Sequence, residues 1–406
     1  MDNISESLVI GGNHQNTLGV IVALGRKGIR PNVIIIGSEL VSSFVLTSRY
    51  VKEGYICNDE TNFVTTVNHI LSSTQNNVVA IACSDDAAVM LDNNYMKFQD
   101  NLIYPSLLHK GELSSWMNKT KQTSAANFIG LDVPKSWFVN DNSIPNDIVY
   151  PCLAKPLTSV QNGKKGFCKC SNEEELLKYI SEKSYNKSFQ LQQYIDKEYE
   201  FQFLGCSLNN GEEIYIPGRT HIETTTGYNN LVFLKFDNYE PEFSELVVKT
   251  KKFIKLLGYS GLFSVEFMRG QDGKDYFLEM NCRNDGNGIA VTSSGTNLPY
   301  IWHLAAGGGD YYSEMNSSSV KTTYMMPEVS FLLSMFNGEV TFREWLSDYR
   351  KTTCFLTRFD DDLKPYKLYI RSQRGCIIKS FVKYILVKMH LYSLMKNMKD
   401  KYASHR

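Results

Sequence analysis

Near-continuous apolar runs, spaced by stretches of helical periodicity, open the chain. SLVIGG at 7–12, VIIIG at 33–37 and VVAIAC at 78–83 read as buried strands. Between the first two, residues 16–27 place Leu18, Ile21, Val22 and Leu24 on one side of a helix, and 62–73 predicts the next. Ser84 and Asp85 form a helix-start signal before AAVML. Strands without polar alternation, separated by helices, predict a parallel sheet covered on both faces. Residues 1–110 therefore read as an open α/β domain.

Beyond it the pattern shifts. Residues 112–130 predict a helix ending at Gly130, ahead of LDVP. VYPCLAK at 149–155 predicts a strand, TSVQNGKKG at 158–166 a polar loop, and FCKC a further strand. NEEELLKYISEK predicts a helix whose first-turn acids suit the helix dipole. Strands are expected at 188–195, 199–206 and 212–217, and a helix at 243–257 closed by Gly258. Residues 261–269 and 274–281 form a hairpin around GQDG. The remainder is mixed and ends in a long helical stretch. The expected divisions are 1–110, 111–190, 191–310 and 311–406.

Composition narrows the class. The 406 residues suffice for two or three domains at roughly 150 residues each. Lys plus Arg and Asp plus Glu both total 43, so no global basic field argues for a nucleic-acid partner. The nine cysteines are odd in number and irregular in spacing, which fits free thiols in a reducing compartment. Cys168 and Cys170 lack a second ligand pair nearby, so a strand with both thiols on one side is preferred to zinc. The start lacks a basic region followed by an apolar stretch and a cleavage site, and no run of about 18 apolar residues occurs. A cytoplasmic protein is the expectation.

The first turn, GGNHQNTLG, lacks the GxGxxG spacing, so a dinucleotide-binding dehydrogenase is disfavoured. His14 in that turn suits either a capping role or a place facing substrate. The richest chemistry lies in GYSGLFSVEFMRGQDGKDYFLEMNCRNDGNG at 258–288. Glu266 lies on one strand of the hairpin; Glu279 and Asn281 lie two apart on the other, on one face. Two carboxylates and an amide are oxygen donors of the kind Mg²⁺ accepts. Arg283 follows, with a guanidinium suited to forked binding of an anion. The plainer reading is an edge hairpin whose acids meet water.

These residues resemble the metal-binding end of the ATP-grasp superfamily, which includes D-alanine–D-alanine ligase, biotin carboxylase and the large subunit of carbamoyl phosphate synthetase. The resemblance implies two magnesium ions, or manganese in their place, on Glu266, Glu279 and Asn281, with Arg283 near phosphate or substrate. Four further pieces follow in the family's order. Lys119 in NKTKQTSAANFIGLDVP matches a phosphate-contacting lysine, with Lys121 as the competing choice. Lys155 in CLAKP matches the strand lysine that contacts phosphate and the adenine edge. The loop 158–166, with Gly163, Lys164 and Lys165, resembles the loop that closes over the triphosphate. LQQYIDKEYEFQFLG at 191–205 matches the hinge, where the backbone of Gln193, Tyr194 and Ile195 would meet adenine and Glu198, or else Glu200, the ribose. Gln192 stands where many relatives have Glu. Arg219, in PGRTHIETTTGY, falls where relatives place substrate or phosphate contacts, whereas His221 suits a structural role.

The resemblance covers about residues 8–305. It implies an N-terminal pre-ATP-grasp domain, a two-subdomain ATP-grasp fold and a helical C-terminal extension. It also implies an ATP-dependent ligase that activates a carboxylate as an acyl phosphate and transfers the acyl group to an amine. The implied partners are a small carboxylate and an amine, amino-acid or sugar-linked among the options. Rival readings are carbamoyl-phosphate-like or D-aspartate-ligase-like chemistry on the same fold, and a nucleotide sensor without turnover. Residues 376–406 carry seven Lys or Arg and one Asp, which suits an anionic membrane surface, packing on the core, or a homodimer interface. FDDDLKPY at 359–366 resembles a segment of carboxylate–amine ligases linked to surface polysaccharide assembly.

Overall fold

A computed structural model of the chain describes residues 5–37, 43–140, 144–156, 168–182, 188–225 and 231–388. The loop 158–166, with Gly163, lies outside the described residues, as does 389–406.

The first sheet is parallel throughout. Its strands are β1 (Glu6–Gly11), β2 (Asn32–Ile36), β3 (Gly54–Cys57), β4 (Val78–Ala82) and β5 (Leu102–Ile103), in the order β3-β2-β1-β4-β5. Leu8, Val9, Ile10, Ile34 and Ile81 are fully buried, which is why the sequence shows continuous apolar runs rather than alternation. Helices α1 (Gln15–Gly25), α2 (Glu60–Ser72) and α3 (Asp85–Asn93) follow their strands, and the Ser84 side chain caps α3 by accepting from the Ala87 N–H. The edge strand β3 escapes the sequence pattern because GYIC has two exposed residues.

The helix expected over 112–130 is two helices, α4 (Leu113–Trp116) and α5 (Lys119–Ile129). Asn118 separates them: its side-chain oxygen accepts from the N–H groups of Thr120 and Lys121 at 2.9 and 3.2 Å and so starts a new helix. A small antiparallel sheet follows, of β6 (Ser136–Asn140), β7 (Cys152–Pro156), β8 (Cys168–Cys170) and β9 (Ser188–Gln193), ordered β6-β9-β7-β8, with α6 (Glu173–Glu182) after β8. Cys152, Ala154, Cys170, Leu176 and Leu191 form its core.

The largest sheet is built from β10 (Lys197–Leu208), β11 (Glu213–Tyr215), β12 (Arg219–Thr225), β13 (Val232–Asp237), β14 (Gly261–Gly270), β15 (Asp275–Asn281), β16 (Thr323–Met326) and β17 (Cys354–Phe355). Its order is β15-β14-β10-β12-β13-β16-β17, with β11 beside β10. Helix α7 (Ser244–Leu257) ends at Gly258, whose φ of 59° is the left-handed conformation that glycine adopts most readily. After β15 come α8 (Gly288–Ser294), α9 (Leu298–Gly307) and α10 (Tyr311–Ser317). Helices α11 (Glu328–Asn337), α12 (Phe342–Lys351) and α13 (Leu363–Lys388) complete the described chain.

The chain falls into two compact units: residues 1–122, 201–265 and 280–406 in the first, 123–200 and 266–279 in the second. In the first unit α9 is fastened to the parallel sheet and to α1. Trp302 Nε1 donates to Ala80 O at 3.0 Å, Asn297 Nδ2 to Ala23 O at 2.7 Å, and His303 Nδ1 lies 2.7 Å from Ser7 Oγ. The acids of FDDDLKPY fasten the start of α13 in the same unit. Asp361 takes a two-pronged pair from Arg26 at 2.9 and 2.7 Å and a bond from the Tyr50 hydroxyl at 2.9 Å. Asp362 accepts from the Ser48 hydroxyl and the Arg49 N–H.

Candidate functional site

The hairpin strands alternate as a half-covered sheet demands. Glu266 is half-buried between the buried Val265 and Phe267; Glu279 and Asn281 are half-buried around the buried Met280. Glu279 and Asn281 therefore share the polar face of β15. The register of β15 is held by a residue not singled out in the sequence. Gln122, buried on α5, accepts from the Met280 N–H at 2.8 Å and donates to the Met280 carbonyl at 2.9 Å. One side-chain amide thus satisfies both backbone groups of the residue between the two candidate ligands. In sequence only its place three residues after Lys119, on the helix face of Ala126, hinted at an inward direction.

Past β15 the chain enters a polar network at the carboxyl end of the parallel sheet. Arg283 is mostly buried and donates to Asp85 at 2.7 Å, Asp285 at 3.3 Å and Asn281 Oδ1 at 3.2 Å. Burial disfavours its charge, but the Asp285 and Asp85 carboxylates outweigh that and raise its pKa, so it is permanently cationic. Ser264 donates to Asp285 at 3.1 Å and accepts from Asn281 at 3.2 Å. Asn16, at the start of α1, donates to the carbonyls of Cys83 and Asn284 at 2.9 and 2.8 Å, while the Asn284 amide donates back to it. Asn287 donates to Gln202 at 2.8 Å. The pKa of His14 is lowered by burial and by the Arg283 charge, so its ring is biased to the neutral form; it makes no side-chain cap bond to α1. The NDGN run, Asn16 and Asp85 were not among the sequence candidates. Their signal is position: Asn16 and Asp85 sit just past parallel strands, where α/β sheets bind ligands, and the NDGN run sits just past the hairpin strand β15.

The other candidates are placed as follows. Lys119 is exposed at the first residue of α5, whereas Lys121 donates to Ser115 at 2.6 Å and lies 4.2 Å from the centre of the Trp116 ring. Lys155 lies on β7 opposite Gln190. The Gln193 N–H donates to Lys135 O at 2.8 Å and the Tyr194 N–H to Pro151 O at 3.0 Å. The Tyr194 ring carries Lys169 Nζ 3.7 Å from its centre, a cation that the CKC pattern sets opposite its two cysteines. Ile195 is half-buried and Glu198 exposed on β10, while the alternative Glu200 is paired with Lys197 at 2.9 Å. Gln192 donates to Ser136 at 3.2 Å.

Arg219 stands apart. It forms a forked pair with Glu240 at 2.9 and 3.0 Å, its guanidinium lies 4.4 Å from the centre of the Phe243 ring, and it is 8 % exposed. Sequence reasoning offered it for phosphate or substrate, without Glu240 in view. His221, two residues on, has its pKa lowered chiefly by burial. Cys168 and Cys170 differ in exposure, and the buried Cys170 thiol is pushed up to about 12 by burial. Among the described residues no group of three or more His, Cys, Asp or Glu is arranged to hold a metal; the hairpin set has two carboxylates and an amide.

No family model matches the chain. It is 28% identical over 159 residues to the arginine-specific large chain of carbamoyl phosphate synthase from Halalkalibacterium halodurans, covering 38% of this chain and 15% of that protein. It is 33% identical over 155 residues to the small subunit of 2-oxoglutarate carboxylase from Hydrogenobacter thermophilus, covering 34% and 31%. Its fold matches the crystal structure of L-amino acid ligase from Bacillus licheniformis with a TM-score of 0.53 at 14% identity, over 75% of this chain and 74% of that one. These similarities support the resemblance to the ATP-grasp superfamily. The α/β architecture expected of an ATP-grasp protein is the one observed, parallel first sheet included. The matches span less than a third of the two curated ATP-grasp relatives.

Proposed function

We propose that this protein is an ATP- and magnesium-dependent ligase that joins a small carboxylate to an amine. A carboxylate oxygen attacks the γ-phosphorus of ATP, ADP departs, and an acyl phosphate remains. The amine then attacks the acyl carbon, the C–O bond to phosphate breaks, and the amine nitrogen loses a proton. The observation that carries the reading is the alternation of Glu279 and Asn281 about the clamped Met280, with Arg283 immediately beyond.

In this reading Glu266, Glu279 and Asn281 hold magnesium. Their chemistry fits a hard cation: half-buried oxygen donors, each next to a buried apolar residue on its strand. Magnesium, when bound, supplies positive charge to the phosphate oxygens. Lys119 and Lys155 grip phosphate, and Gly163 with the loop around it covers it. The backbone from Gln193 through Tyr194 to Ile195 receives adenine, and Glu198 receives the ribose. Arg283, prevented from swinging by Asp85 and Asp285, holds a carboxylate or phosphate oxygen. The neutral His14 ring and Asn16 border that position. The name of 2-oxoglutarate carboxylase supports a carboxylate substrate class, and that of the L-amino acid ligase favours an amine acceptor.

Calorimetry with ATP and magnesium should show binding, and a phosphate-release screen over acid and amine pairs should yield a pair that is turned over. Glu279→Gln should remove turnover with no change in the circular dichroism spectrum. Undiminished turnover in that variant would sink the metal assignment.

A further inference from the structure

We infer that the C-terminal half of α13 is a docking face for an anionic lipid surface. The chain as a whole is charge-balanced at 43 against 43, yet no Asp or Glu occurs between Asp362 and Asp400. Within α13 alone lie Lys364, Lys367, Arg371, Arg374, Lys379, Lys383 and Lys388. At 37 residues, 363–399 is the longest stretch of the sequence without an acid.

The helix changes character along its length. Its start is tied down by Asp361 and Asp362, Pro365 is buried, and Tyr369 packs 5.2 Å from Phe44. From Arg374 to Lys388 no residue is buried. Ile378, Phe381, Val382 and Ile385 are exposed to 50, 47, 48 and 38 %. Their spacing is i, i+3, i+4, i+7, which sets them on one stripe of the helix. Phe381 touches Phe336 on α11 with one edge, at 5.3 Å between ring centres, and still leaves nearly half its surface in water. Lys379 flanks one side of the stripe and Lys388 the other, while Lys383 lies behind it.

Four adjacent apolar side chains in water cost free energy that burial would recover. An apolar stripe with flanking lysines is the pattern of a helix lying in the headgroup region of a membrane. None of the described helices is long and apolar enough to cross one, so α13 would lie on the surface. A second copy of this chain is the poorer occupant, because a symmetric contact sets the same acid-free helix against itself, cation facing cation. An anionic bilayer covers the stripe and neutralises the lysines together.

The test is sedimentation of the full chain with vesicles of phosphatidylcholine alone or mixed with phosphatidylglycerol. The protein should pellet with the mixed vesicles only, and raising salt to about 1 M should release it. Ile378→Glu with Ile385→Glu should lower partition by more than tenfold. Lys379→Gln with Lys383→Gln leaves every apolar contact in place and should lower it by about 25-fold, near fivefold per charge. Circular dichroism should show both variants folded. The proposal fails if the unsubstituted protein stays in the supernatant with anionic vesicles, or if both variants pellet unchanged. It also fails if ultracentrifugation finds a dimer that the isoleucine variant dissolves while vesicles bind nothing.

Discussion

Arg283 and Arg219 look alike in the sequence and differ in what their surroundings leave open. Both are largely buried and both meet carboxylates. Arg219 is matched to one carboxylate: Glu240 takes its Nε and Nη2 in a fork and Phe243 lies against it, while its buried Nη1 has no partner among the described residues. Arg283 is spread over Asp85, Asp285 and Asn281, with none of them taking it in a two-pronged pair. A guanidinium matched to one carboxylate has its forked geometry satisfied. One held by several partners is oriented and can still receive a ligand oxygen.

The largest effect that sharpens this contrast is on turnover. With an active acid and amine pair in hand, Arg283→Gln should lower kcat by about 100-fold or more, as loss of a positioned charge donor commonly does. Arg219→Met in the same assay should stay within a factor of about three while denaturant unfolding shows a loss of roughly 2 kcal/mol. A large kcat loss at Arg219 would erase the distinction.

Next in size is a pH effect remote from both arginines. Burial holds the His303 pKa down to about 4, against 6.5 for a free ring. The folded state therefore resists a proton that the unfolded chain accepts below pH 6.5. Stability should fall between pH 6.5 and 4, by roughly 3 kcal/mol in all. Urea unfolding at a series of pH values reads it, and His303→Asn should flatten that limb. Smaller again is the pair at the root of α13. Hydrogen bonding to Arg26 holds the Asp361 pKa down to about 2. Its contribution is complete above the ordinary carboxylate range and disappears as pH falls towards 2. Because the pair is more than a third exposed, Asp361→Asn should cost less than about 1 kcal/mol at neutral pH and remove only the acid part of the unfolding profile.

Apolar runs made β1, β2 and β4 legible, and Gly258 marked the end of α7. The break between α4 and α5 was hidden because Asn118 reads as one more polar residue until its side chain is seen to cap. Strands β12, β13 and β16 were missed: polar residues dominate RTHIETT in β12, while VFLKFD and TYMM are too short for their period to tell strand from helix. At the candidate site, spacing brought out Glu279, Asn281 and Arg283 because they share one strand and its exit. Gln122, Asp85 and Asn16 come from distant parts of the chain, and Glu240 lies 21 residues from Arg219. Local periodicity holds no information about such pairings.

The Gln122 clamp has a consequence for any study of rates. Neither of its groups gains or loses a proton in water, and an amide bonded to a peptide is indifferent to ionic strength. The strand bearing Glu279 and Asn281 is therefore held the same way in mildly acidic and in alkaline buffer. A bell in the rate profile of this protein would then report protons moving on reactants or on ionising side chains, with the scaffold beneath them unchanged.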